Sequence, residues 1–369
     1  MQWPVPDIPE KQPHPRPEYK RWGGGLFMML ATGGMLVLFV GKVTSYGQMV
    51  LYGMLPAFFI WLCFFGVIWH RYEQSVNDTL LWNNESERTK LHWQRWCSQQ
   101  WVVVSNIILT PEKEGIHTLL GDYADIPAYP RKPRPLYAIL SGLNNRLKYI
   151  DAQTEKQYPG YRHLLYSVKI ILPDMSQQSS VGQAVYQQWD LYPEYINSVD
   201  DIQTDPEQKG LILLLCIQDW VTDKRKKHSE FISGQIITSI SFASVQTLPV
   251  MAGMGRVLSA DSLTRALDVL SEYNRLNDTA LHHIWLTGID NDDRAKIVQY
   301  AGGQPWQLPA KLPCHLLDHT FGPCGPLSFP VSVALMVDAA VHTGEMQLLI
   351  SRQKENEYSL CLITRELFL

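Results

Sequence analysis

Hydrophobic and polar positions divide the chain into an apolar beginning and a mixed remainder. Residues 23–41 run for 19 positions without a charge, and residues 49–69 for 21. An apolar helix of that length crosses a hydrocarbon core about 30 Å thick. Only the short segment 42–48 separates the two, so the pattern predicts a two-helix transmembrane hairpin over residues 23–72. Trp22, Tyr46, Trp69 and Tyr72 then stand at interfacial depth. Pro56 falls inside the second span, where neighbouring helices tolerate a kink. The alternative is one span followed by a buried core helix. A cleaved leader fits poorly, because a long polar stretch precedes the first run and no small-x-small pattern follows it.

Beyond the hairpin the pattern changes. Residues 73–100 read as a helical neck in which Trp82, Trp93 and Trp96 pack against the following domain or the lipid surface. Residues 101–109 (WVVVSNIIL) are β-branched, are broken by Thr110-Pro111, and make a first strand. Runs 163–172 and 210–217 have the length of buried strands, with a helix over 181–198 and an acidic loop over 200–210 between them. Segment 231–250 is apolar with many serines and threonines, and periodicity assigns it neither strand nor helix. Ser259 precedes a helical repeat at Leu263, Ala266, Leu267 and Leu270. A strand end at 285–287, a turn at 290–293, a helix at 294–300 and a hairpin of 347–351 with 358–364 follow. Between Pro326 and Val341 the only charge is Asp338. A helix apolar on every side belongs inside a large domain. The fold class is therefore α/β, with residues 101–255 and 256–369 as the two halves of one domain.

Composition narrows the function classes. A net charge of −4 provides no basic field for nucleic acid. The six cysteines lack disulfide-framework spacing, which suits a reducing compartment. Residues 1–22 hold six prolines among mixed charges, too few apolar groups to offset the entropy of ordering, and read as a disordered cytoplasmic tail. Lys11, Arg16, Lys20 and Arg21 precede the first span, and Arg71, Arg88, Lys90 and Arg95 follow the second. Lys42 stands alone between them. The positive-inside tendency then puts both ends, and the soluble domain, in the cytoplasm, with the hairpin in the inner membrane. Two basic segments remain: the proline-rich loop 128–135, read as solvated surface, and Lys224–Lys227, which would meet anionic head groups or stand as a solvated loop.

The chemistry-bearing residues gather in one place. Asp318 to Gly325 reads DHTFGPCG, with Gly322 and Gly325 ending one element and opening the apolar helix. This string resembles the G-H-T-x-G-A-A-G signature of the thiolase-like condensing enzymes, the ketoacyl synthases. The order of elements over about 259–366 is similar to that family's C-terminal half. The resemblance implies thiolase-like layered sheets and helices, a cysteine nucleophile on a tight strand-to-helix turn, and two histidines that activate the extender unit. His319 would be the second of them. The departures are specific. Cys314 replaces the lysine five residues before that histidine, Asp318 replaces the leading glycine, and Pro323-Cys324 replaces the alanine pair. No T-A-C-S-S-like segment occurs, and Cys216 is followed by Ile-Gln-Asp-Trp, without the small residues such a turn needs. His282 and His283 precede the strand that the first histidine should follow. Losing the nucleophile alone costs several orders of magnitude in rate, so His319 reads as a fold residue with a satisfied hydrogen bond and the motif (His319, Gly322, Gly325, Cys314) as degenerate, with no catalytic residue. Cys314, His315, Asp318, His319 and Cys324 lie within eleven residues and offer the sulfur and nitrogen donors zinc accepts, but their spacing fits no zinc pattern. No metal and no cofactor is expected. Walker A, G-x-S-x-G, H-E-x-x-H and G-x-G-x-x-G are missing in any convincing context.

Hairpin, proline-rich leader and thiolase-like domain without its nucleophile together resemble the lipase-adaptor proteins of bacterial type VI secretion. That resemblance implies no catalysis. It implies instead that the protein binds a phospholipase effector protein in the cytoplasm and loads it onto the type VI spike protein. Two other readings stand beside it: a membrane-associated acyl-condensing enzyme, and a scaffold of an unrelated pathway.

Overall fold

The structure is a computed structural model that describes residues 3–6, 8–42, 45–121, 123–202, 210–220, 226–274, 276, 281–354 and 357–368. It divides into two compact units, residues 5–92 and residues 1–4 with 93–369.

The smaller unit is built on α1 (Tyr19–Phe39), the single turn α2 (Tyr46–Met49) and α3 (Leu55–Cys97). Both α1 and the helical stretch Tyr46–Cys97 are long and apolar enough to cross a membrane. Their large apolar side chains, among them Phe27, Phe39, Phe59 and Phe64, are exposed, as lipid-facing groups would be. Between α2 and α3 the backbone widens into a π-turn, Val50–Met54, in which Leu55 N–H donates to Val50 O. Pro56 follows directly. Proline has no N–H and crowds the preceding turn, and a π-bulge absorbs that mismatch. The helices meet at small residues: a Cβ on Gly33 would lie 2.6 Å from Gly53 O, and one on Gly53 would lie 2.6 Å from Gly33 O. Such contacts let apolar helices pack backbone to backbone where lipid supplies no hydrophobic driving force.

The proline-rich leader, expected to lack order, lies along α3. Trp82 Nε1–H donates to Pro9 O at 3.1 Å. The Asn83 amide bonds both the N–H and the carbonyl of Lys11, at 3.1 and 3.2 Å. His14 N–H donates to Ser75 Oγ at 2.8 Å. Extended polyproline chain has no internal hydrogen bonds, so its backbone groups stay open to side chains of the helix. Composition alone does not register these external partners, so the order of the leader departs from the expected disorder.

The larger unit contains one sheet of 11 strands. Its first half comprises β1 (Gln100–Leu109), α4 (His117–Leu120), α5 (Leu143–Gln157), β2 (Leu165–Ile171), α6 (Gln178–Trp189), β3 (Glu194–Tyr195), β4 (Leu211–Gln218), β5 (Phe231–Ser239) and α7 (Ile240–Val245). Its second half comprises β6 (Ala252–Gly255), β7 (Leu258–Ala260), α8 (Leu263–Tyr273), β8 (His283–Thr287), α9 (Asn291–Gly302), β9 (His315–Leu316), α10 (Leu317–Phe321), α11 (Ser328–Thr343), β10 (Gln347–Lys354) and β11 (Glu357–Thr364). The two halves repeat one topology. Strand order is β3-β2-β4-β5-β1 in one and β9-β8-β10-β11-β6 in the other, joined where β1 pairs β6. Parallel and antiparallel pairings correspond strand for strand.

α11 is the centre of the core. It packs against strands of both halves, and Phe329, Val331, Val333, Leu335 and Met336 are all within 1% of full burial. Although its length and composition suit a membrane span, that burial makes it the interior helix its all-round apolarity predicted. The repeat breaks at this point. Between β3 and β4, where the second half has α11, the described residues contain only the 3₁₀ turn Val199–Asp201.

Several sequence expectations need correction. The helix expected over 181–198 ends at Trp189, because Asp190 turns left-handed at φ 56° and Pro193 follows. Ser259 is not a helix cap but part of β7, paired with Ser359, and Ser262 precedes α8. Segment 231–250 divides into β5 and α7. Of the acidic loop 200–210, residues 203–209 lie outside the described residues, as do Lys224 and Arg225 of the basic run.

Gly53→Leu is expected to lower the melting temperature of the detergent-solubilised protein, at a cost of about 1–3 kcal/mol from overpacking. Gly24→Leu, with no atom within 4 Å of its added Cβ, should leave it unchanged.

Candidate functional site

The DHTFGPCG segment forms α10 and the turn into α11, and its two glycines are there for different neighbours. Gly322 has φ +80°, and a Cβ on it would lie 2.4 Å from Lys132 O. Gly325 has φ +71°, and its Cβ would lie 2.4 Å from the His228 ring. Only glycine combines that backbone with that approach.

The turn is held by the chain's own loops. Tyr129 N–H donates to His319 O at 2.6 Å. Ser229 Oγ–H donates to Phe321 O at 2.8 Å and accepts from Arg134 N–H at 3.1 Å, while Ser229 N–H donates to Pro323 O at 2.8 Å. Gln218 Nε2 donates to both Ser229 O and Cys324 O at 2.7 Å. Arg134 pairs with Glu112 and stacks 4.1 Å over the Tyr129 ring. The loop 128–135, expected as plain solvated surface, is therefore a clamp on the signature turn. Behind it, Arg146 Nη1 lies 3.1 Å from Glu230 and 3.4 Å from Asp219, all three buried. Glu230 also accepts from Leu136 N–H and Trp220 N–H. This cluster closes the ends of β4 and β5. Its members are far apart in sequence, and nothing in their local pattern announces it.

His319 is exposed, and its imidazole has no hydrogen-bond partner among the described residues. The expectation of a satisfied side-chain bond is corrected: the backbone carbonyl makes the contact, because the α10 turn directs the ring outward. Asp318 accepts from Gly288 N–H at 2.5 Å and from Thr287 Oγ1–H at 3.3 Å, tying α10 to the end of β8. Cys314 is buried and its thiol is pushed up to about 11 by burial. Cys324 is buried too, with its Sγ–H 3.4 Å from Gly322 O, and burial raises its thiol well above the usual range. Cys216 lies inside β4 with its thiol pushed up to about 12 by burial. A catalytic thiol needs the opposite shift. Cys314, His315, Asp318, His319 and Cys324 do not converge, and among the described residues no three such groups are placed to hold a metal.

His315 lies elsewhere, on β9. Its ring stacks on Trp285 at 4.2 Å, both ring nitrogens are buried without partners, and burial lowers its pKa to about 4. Next to it, His283 Nε2 lies 3.0 Å from Glu345. Burial lowers the His283 pKa, and Glu345 opposes the shift.

Gly325→Ala is expected to cost about 2–4 kcal/mol, measured by thermal or urea unfolding, because it adds left-handed strain to a clash. Gly302→Ala at the end of α9, in open space, should be neutral or slightly stabilising. The folded pKa of His315 lies below that of an unfolded histidine, so the fold holds the neutral ring. The stability this contributes is complete above about pH 6.5 and is lost as the pH falls towards 4. His315→Phe should flatten the unfolding free energy across that window by an amount on the order of 3 kcal/mol.

No protein-family model matches the chain, and no curated protein matches it in sequence. Solved structures do match. One is a chain of the AntDE:AntF complex, described as a type II PKS acyl-carrier protein in complex with its ketosynthase bound to the hexaketide. It covers 73% of this chain and 100% of its own, with a TM-score of 0.52 and 8% identity. Another is a Xanthomonas campestris OleA variant bound with cerulenin, covering 74% of this chain and 98% of its own, again with a TM-score of 0.52 and 8% identity. At that identity the likeness concerns the fold alone. The larger unit has the mixed α/β, thiolase-like fold.

Proposed function

We propose that this protein is a membrane-anchored, non-catalytic adaptor: it binds a phospholipase-type effector in the cytoplasm and helps load it onto the type VI secretion spike. The hairpin helices α1 and α3 would cross the inner membrane with both flanks in the cytoplasm, following the distribution of lysine and arginine.

The observation that carries this reading is the place where a nucleophile would be needed. A condensing enzyme requires a reactive thiol on a strand-to-helix turn beside the histidine. In the described residues the stretch between β3 and β4 contains a 3₁₀ turn where its counterpart in the second half contains α11. Cys216, Cys314, Cys324 and Cys361 are buried, with thiols raised by burial. His319 faces outward from a turn that loop 128–135 clamps. A fold free of these chemical constraints is available as a rigid surface for a folded cargo. Cargo and spike are inferred from the sequence resemblance.

The second reading, a membrane-associated acyl-condensing enzyme, is favoured by the ketosynthase and OleA names of the structural neighbours. One experiment separates the two. The full-length protein in detergent is incubated with acyl-CoA and weighed intact, and it is also co-expressed with a lipase-type effector from the same genome. No acyl adduct and retention of the effector through affinity purification are expected. An acyl mass increment on any cysteine overturns the non-catalytic assignment, and failure to retain any such effector overturns the adaptor assignment.

A further inference from the structure

At the other end of α11 from the glycine turn lies a cavity of about 500 Å³, bordered by β1, α4, α5 and α11. It contains Asp338, the single charge of an otherwise apolar helix. We propose that this cavity binds an organic cation, an ammonium or guanidinium group, through Asp338 and Asn106.

The hydrogen-bond inventory leads to that chemistry. A β-bulge in β1 between Val103 and Ser105 shifts the strand's alternation by one residue and turns Asn106 towards α11. Its Nδ2 donates to Asp338 Oδ1 at 2.6 Å and to Ala334 O at 3.0 Å. These two acceptors fix the amide's orientation, leaving Asn106 Oδ1 buried without a donor in a residue only 3% exposed. Among the described residues nothing donates to Asp338 Oδ2. Gln157 is turned to other partners: its Oε1 accepts from Ser105 Oγ–H and Asn106 N–H, and its Nε2 donates to Asn106 O. A mere lock between β1 and α11 would need one acceptor and no charge, and a half-buried carboxylate with a donor on only one of its oxygens is costly.

What is missing is a donor carrying positive charge. The last turn of α11 adds the negative end of a helix dipole. The Tyr149 ring, 38% exposed at the edge, suits a cation's approach. His117 and His342 pack edge to face at 4.3 Å. Burial, with His342 beside it, holds His117 below the ordinary histidine pKa, which favours its uncharged form beside a cation. A metal ion would need three convergent ligands, and no such group exists among the described residues.

The cation can belong to a small amine or to a basic side chain of a protein partner. Isothermal titration of the full-length protein in detergent distinguishes the sources. The probes are agmatine, the acetylated amide of arginine, and the corresponding neutral citrulline compound. Saturable binding of the guanidinium probes and none of the citrulline compound is expected. Tighter agmatine identifies a small-molecule site, and a tighter arginine amide identifies a side-chain site. Asp338→Asn should weaken binding about thirtyfold or more. Val341→Trp, at an exposed position lining the cavity, should abolish binding without changing the melting temperature, and it decides the matter if Asp338→Asn fails to fold. No saturable binding of either guanidinium probe, equal binding of the citrulline compound, or binding unaltered by the variant that folds would overturn the proposal.

Discussion

Burial of α11 is the constraint from which the rest of the larger unit follows. A helix with no polar face is insoluble on its own account and must be covered on all sides, and here strands of both half-sheets provide the cover. Each of its fully buried large side chains contributes about 1.5–3 kcal/mol relative to exposure. The two halves are therefore held to each other through this helix as well as through the β1–β6 pairing. Its beginning needs glycines where loops press in, and its end tolerates one charge because Asn106 meets it.

Covering α11 also explains why the turn at its start is closed. The space beside this turn is packed by the chain's own loops. Lys132, His228 and Ser229 lie against Gly322 or Gly325, and Arg134 N–H bonds Ser229 Oγ. The buried set of Arg146, Asp219 and Glu230 anchors those loops from behind. Breaking such a set by removing one member leaves a buried charge uncompensated, which is far costlier than never having had it.

The duplicated topology sharpens the contrast between the halves. One half has α11 between β9 and β10, and in the other the described residues of the corresponding stretch contain a 3₁₀ turn. Near that turn, Trp3 from the start of the chain is buried, its indole donating to Val257 O at 2.9 Å and meeting Trp96 edge to face.

Much of this was legible in the residues. The apolar runs announced α1, α3 and α11, because a continuous stretch of that kind has few physical destinations. A run rich in β-branched residues announced β1, apolar runs of strand length announced β2 and β4, and the repeat at Leu263, Ala266, Leu267 and Leu270 announced α8. The thiolase-like layering was carried by the DHTFGPCG turn and the elements around it. α5 was missed because only Leu147, Ile150 and their neighbours mark its buried stripe, and β3 because two residues are too short for any period. Long-range pairing decided the remainder. The leader's bonds to α3, the clamp of loop 128–135, the outward turn of His319 and the bulge that aims Asn106 at Asp338 each join residues far apart along the chain. Periodicity reports only which face of an element is apolar; which partner covers that face, and what fills a site between elements, is set by packing among all of them at once.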